Sequence, residues 1–326
     1  MFPTVPRRVC EAVVPPVPPN PPTRVIVGFR AEAPIETLKK YPKDSTALLQ
    51  RATLEINEGD LGAATADLAT LQGMKIFSAA LTFQESRIFA ARHETAREGD
   101  LLAEALHTDP HYLPARLSLA ELLVAQGKAR NALVILDQAD TGQKKSVEYI
   151  YSRNMALLAT RDWDEARKGV DEGLALRRLP GFYYQDAALR DHTGDLAGAR
   201  KSIESGLELA PDDPFGWTLL GQTMARQKEY AKYLDRLREA AAKYPAAAPL
   251  QKLLGERLAL AGDLNGAKGR LSEMTKAHDS AKVRLLLADI EMKKGSSDAA
   301  IQDYTAALKM EPSNGLVMNN LAGPAG

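Results

Sequence analysis

The sequence predicts an all-α chain, a stack of about eight helix-turn-helix units. Three observations predict it: a period of 33 or 34 residues, columns of small and large apolar residues that recur in that register, and glycine or proline where a helix must stop. The composition fits a globular chain, with 45% hydrophobic and 26% charged residues. Lys plus Arg and Asp plus Glu both count 42 in 326 residues, so the net charge is zero. That balance argues against nucleic acid as a partner and against a polybasic membrane surface. The single cysteine, Cys10, excludes an internal disulfide framework and a cysteine-built zinc site. No apolar run approaches the 18 or so residues of a membrane span.

The phrase Gly-Asp-Leu occurs at Gly59, Gly99, Gly194 and Gly262, each taken as a turn before an alanine-containing helix. One register through the chain places anchors at Ala64, Glu98, Ala132, Ala166, Ala199, Tyr233, Ala267 and Ala300. Twelve residues before each anchor stands Ala52, Ser86, Ala120, Asn154, Ala187, Gly221, Gly255 or Ala288, small in all but one case. Seven after it, six of eight are small, among them Ala105, Gly173 and Gly206. Four after it come Leu68, Leu102, Leu136, Val170, Ile203, Leu237, Leu271 and Tyr304, all large. Small residues let paired helices approach to about 8–10 Å, and the large ones fill the space between them. Gly59, Gly127, Gly194, Gly262 and Gly295 supply left-handed turns, and Pro110, Pro211, Pro245 and Pro312 close four units. No unit can bury its apolar stripe alone, so neighbours must stack.

In chain order, residues 1–30 are predicted to be a proline-rich flexible arm, with eight of the 19 prolines in the first 22 residues. Its polyproline stretch is either a leader without a partner or a ligand for an aromatic-lined groove of the SH3 type. The run Arg24–Phe29 can pair as a small strand. After Arg7-Arg8 the apolar stretch is short and broken by Glu11, so no export signal is read. The expected compartment is cytoplasmic, with a periplasmic or envelope-associated location as the alternative if the true start lies elsewhere. Residues 31–44 form an N-terminal partial helix. The array spans 45–314, with units starting near 45, 79, 113, 147, 180, 214, 248 and 281, and 315–326 open a truncated further unit.

The pattern resembles the tetratricopeptide repeat (TPR) family. Trp217, Leu220, Gly221, Met224, Tyr230, Leu237, Ala240 and Pro245 stand at its W-x2-L-G-x2-Y…A…P positions, with Met224 for the usual Tyr and Tyr233 for a small Ala. The resemblance implies a right-handed superhelical solenoid of the kind found in bacterial arrays. It also implies a concave groove lined by the second, fifth, sixth, ninth and twelfth or thirteenth residues of the first helices. On this register the groove includes Gln50, Thr53, Asn57, Ser118, Asp191, Phe215, Lys252, Glu256, Lys282, Asp289 and Lys293. Its candidate partner-binding residues are Phe83, Gln84, Arg87, Glu121, Tyr151, Met155, Tyr184, Gln185, His192, Gln222 and Arg226. The cluster Tyr151, Met155, Tyr184 and Gln185 marks its centre. The Lys/Asn…Asn…Lys/Arg constellation that clamps a C-terminal carboxylate is missing, which disfavours that role.

Catalytic and metal chemistry is not legible. His107 and His111 are four apart, but Asp109-Pro110 places them at an inter-unit loop, not on an H-E-x-x-H helix. Asp212-Asp213 and Asp162/Asp164 read as helix caps. The expectation is a protein that is not an enzyme, needs no cofactor and binds a protein or peptide, with its uncapped C-terminal edge available for self-association. The alternatives are a structural subunit of a bacterial envelope, secretion or exopolysaccharide system, and the regulatory repeats of a larger enzyme.

Overall fold

The computed structural model describes residues 32–277, 279–312 and 314–321. The proline-rich arm, the run at 24–29, His278 and the last five residues lie outside the described residues. These residues fall into two compact units, 32–178 and 179–321. The first holds α1 (Glu32–Lys40), α2 (Ser45–Glu58), α3 (Leu61–Gly73), α4 (Ala79–Ala91), α5 (Thr95–Thr108), α6 (Leu113–Ala125), α7 (Ala129–Asp137), a 3₁₀ turn at Gln143–Lys145, α8 (Val147–Thr160) and α9 (Trp163–Leu176). The second holds α10 (Pro180–His192), α11 (Leu196–Leu209), α12 (Pro214–Arg226), α13 (Tyr230–Lys243), α14 (Ala248–Leu260), α15 (Leu264–Ala277), α16 (Ala281–Lys293), α17 (Ser297–Met310) and α18 (Gly315–Leu321). Among the described residues there is no strand. The fold is an all-α solenoid.

Each helix pair is closed by a left-handed residue five positions before the anchor. The series is Gly59, His93, Gly127, Arg161, Gly194, Lys228, Gly262 and Gly295, with φ between 60° and 88°. Glycine adopts this conformation without a Cβ clash, whereas the three other side chains are strained there. In the Gly-Asp-Leu phrase, the glycine ends one helix and the aspartate starts the next. The Asp60 carboxylate accepts from the Ala63 amide at 3.0 Å, and Asp195 and Asp263 cap α11 and α15 in the same way. Gly99-Asp100 corrects the sequence reading, because these residues lie inside α5 and the turn of that pair falls at His93.

The anchor column is the innermost. Ala64, Ala132, Ala166, Ala199, Ala267 and Ala300 are buried, as is Tyr233. Glu98 is the exception, half-buried, its carboxyl pushed up by burial. Tyr233 fits because Gly221 faces its ring: a Cβ at Gly221 would come within 2.7 Å of it. Thus α12 supplies the space that α13 fills.

A second column emerges only from the structure. The fourth residue of a first helix ties that helix to the loop before it. Trp217 Nε1 donates to the Pro211 carbonyl at 2.8 Å, and Gln251 Nε2 donates to those of Ala241 and Tyr244. Arg116, buried and paired with no carboxylate among the described residues, donates to the carbonyl of Pro110 in that loop and also to that of Ile135 on α7. Arg284 instead clasps Asp279 with two bonds of 2.8 and 2.7 Å, which lowers that carboxyl's pKa.

Replacing His93, Arg161 or Lys228 by Gly is expected to stabilise the chain by about 1 kcal/mol each, read as a rise in urea midpoint at unchanged slope. Tyr233→Ala should cost about 3 kcal/mol, and Gly221→Ala should also destabilise. The double variant should be clearly better than the sum of the two, as a double-mutant cycle by denaturation would reveal.

Candidate partner-binding surfaces

In the first unit α2, α4, α6 and α8 are the first helices, and successive members touch. Arg87 lies between two of them. Its Nη2 donates to Asn57 Oδ1 on α2 at 2.6 Å, and its Nη1 donates to Gln84 Oε1 one turn earlier at 2.9 Å. Both acceptors are amides. No carboxylate among the described residues pairs with this guanidinium, and burial lowers its pKa, opposed by the nearby Tyr112. Phe83 meets Tyr112 edge-on with ring centroids 5.6 Å apart. On the next first helix the Glu121 carboxylate accepts from Ser152 Oγ at 3.3 Å. Phe83, Arg87, Glu121 and Tyr151 are half-buried, whereas Gln84 and Met155 are buried.

The second unit differs in charge and packing. Arg226 on α12 is paired with Asp191 on α10, and Lys252 with Glu256 at 3.0 Å, so these cations are matched within the chain. Gln222 and His192 are exposed. Tyr184 and Gln185 are buried. The Tyr184 ring lies where Cβ atoms at Gly206 and Gly216 would otherwise be, and it meets Phe215 edge-on at 5.5 Å. Of the expected groove centre, Tyr184, Gln185 and Met155 therefore sit in the interior, and only Tyr151 keeps a half-exposed side chain. The reason is local: a fifth-position tyrosine turns inward when the next two helices carry glycine opposite it.

Tyr112 is a contributor the sequence register missed. It precedes α6 as its N-cap residue, outside the positions counted as groove-lining, yet its ring completes the contact with Phe83. His107 and His111 are both exposed, and His111 Nδ1 lies 3.6 Å from Asp140. Among the described residues no cluster of three or more His, Cys, Asp or Glu is arranged to hold a metal ion, and no helix is long and apolar enough to cross a membrane.

Family models described as tetratricopeptide repeat match residues 93–151 and 281–314. The chain carries tetratricopeptide repeats. A TPR repeat-containing protein of Pseudomonas aeruginosa is 26% identical over 147 residues, which are 44% of this TPR chain and 24% of that protein. The match thus spans about a quarter of that relative's length. Among solved structures, a tetratricopeptide repeat protein from Parabacteroides merdae is similar with a TM-score of 0.45 and 14% identity, over 75% of this chain and 97% of that one. A thermophilic TPR protein from Thermus thermophilus is similar with a TM-score of 0.40 and 22% identity, over 54% and 97%.

Tyr184→Ala is expected to cost about 3 kcal/mol or more by opening a cavity between α11 and α12. Thermal denaturation followed by circular dichroism checks this. An unchanged midpoint would return Tyr184 to the surface.

Proposed function

We propose that this TPR protein is a non-catalytic scaffold that binds a peptide or protein partner on its first-helix face. The first unit carries the main anchor, with Arg87 receiving an acidic group of the partner. The observation that supports this most directly is the half-buried Arg87 guanidinium, held by two amide oxygens and matched by no carboxylate among the described residues. Amides orient a cation without neutralising it, so its charge remains available for an incoming carboxylate. Phe83, Tyr112 and Tyr151 offer apolar surface on the same helices or at their ends. Repeat helices stacked beforehand add little ordering cost on binding. The candidate cation of the second unit, Arg226, stands one turn further along its helix, already has Asp191 and is a weaker candidate.

The test is partner capture by crosslinking, followed by titration of the recovered partner against variants. Arg87→Glu should weaken binding about tenfold or more, with helicity unchanged. Tyr151→Ala should weaken it less, and Arg226→Ala least. Equal binding by Arg87→Glu and the parent protein would move the partner away from this face.

A further inference from the structure

In the first unit the connections between helix pairs all lie along one edge, and the turns within pairs lie along the other. This follows from the alternating direction of α2 to α9 and from the contacts between successive first helices. The two edges differ. Among the described residues of this unit, the exposed large apolar side chains are Ile35, Tyr41, Phe77, Val134 and Leu176. Tyr41, Phe77 and Leu176 belong to the connection edge, Ile35 and Val134 lie on helix faces, and none sits at a turn. Phe77 is the most open of the five at 76% exposure, and Tyr41 and Leu176 stand at 56% and 55% beside 61% for Val134.

The Phe77 loop is built rather than loose. The amides of Met74, Lys75 and Ile76 donate to carbonyls of Thr70, Gln72 and Leu71 at 3.1, 2.8 and 3.1 Å. Lys75 is held at φ 57°, a strained value for a lysine. Ile76 turns in against the core of α1 to α4, and Phe77 next to it turns out. Proline stiffens two of the other connections, at Pro42 and Pro110.

Charge follows the same edge. The connecting segments 41–44, 74–78, 109–112, 138–146 and 177–178 carry six lysines and arginines against three aspartates. Each of the three accepts a backbone amide at 2.8 or 2.9 Å, Asp109 and Asp140 from their own loops and Asp44 from Ala47 in the first turn of α2. The zero net charge of the chain therefore conceals a basic edge.

We propose that this connection edge is a peripheral docking surface for an anionic lipid bilayer. Phe77, Tyr41 and Leu176 enter the interfacial layer, and Lys43, Lys75, Lys144, Lys145, Arg177 and Arg178 lie against the headgroups. Single bulky side chains protruding at three of the five connections, too far apart to form one groove, suit a flat deformable target better than a peptide. Lysine stems reach past apolar surface to place their ammonium groups at the headgroups. Each such cation strengthens attachment to an anionic leaflet about fivefold, and the attraction fades within a Debye length.

The test uses the full chain, sedimented with phosphatidylcholine vesicles and with phosphatidylcholine–phosphatidylserine vesicles. Binding is expected to the anionic vesicles alone, and to fall as salt rises. Phe77→Ser and Lys144→Glu/Lys145→Glu should each weaken it about tenfold, whereas Lys128→Glu/Arg130→Glu, at the opposite edge, should change it little. In a Phe77→Trp variant, indole emission should shift to the blue with anionic vesicles. Equal sedimentation with both vesicles, equal losses from the two edges, or capture by soluble polyglutamate with no preference for vesicles would each overturn the proposal.

Discussion

The whole array depends on close approach between helices that cannot stand alone. A pair such as α2 and α3 has one apolar stripe too many to bury by itself, and relief comes only if the next pair lies against it. Contact at that distance favours small residues at the crossing points, and Tyr233 is admitted because Gly221 faces its ring. Hence Ala52, Ala64 and their counterparts are buried to the limit, and Leu68 or Leu102 can fill the gaps beside them. The left-handed turn five residues before each anchor keeps every pair in the same phase, so one error in phase would misplace all columns downstream of it. Stability then accumulates from one neighbour to the next and is not held in a single central core.

Much of this was legible because it is periodic. Alanine at Ala132 or Ala166 says little alone, but a column of small residues at constant spacing has few physical explanations other than helices in contact. The all-α solenoid and its turn glycines follow from that reasoning. Periodicity misleads where composition imitates it. Gly99-Asp100-Leu101 spells the turn phrase but lies inside α5, because the turn itself had been given to His93, a residue with no turn signature.

The binding face was less legible, and for a definite reason. A register says which way a residue's Cα–Cβ bond starts but not what space awaits the side chain. At Tyr184 two glycines on other helices open that space inward, and no count along α10 alone reveals it. Arg87 and Arg226 read alike in the sequence, yet one meets amides and the other a carboxylate. Their difference lies in residues 30 and 35 positions away. The fourth-position ties made by Arg116, Trp217 and Gln251 escaped for the opposite reason: three unlike side chains perform one task, donation to a loop carbonyl, so no column of similar residues announces them.

The exchange of bulk between Gly221 and Tyr233 bears on how such a chain can change over generations. Repeat genes lengthen and diversify by recombination between like segments, and a breakpoint in the turn joining α12 to α13 would part the two residues. One descendant would set a glycine opposite an ordinary alanine, leaving a void. The other would press a tyrosine ring on a side chain with nowhere to yield. The two halves of this unit are therefore heritable only as a block, whereas pairs built with alanine on both sides remain open to shuffling.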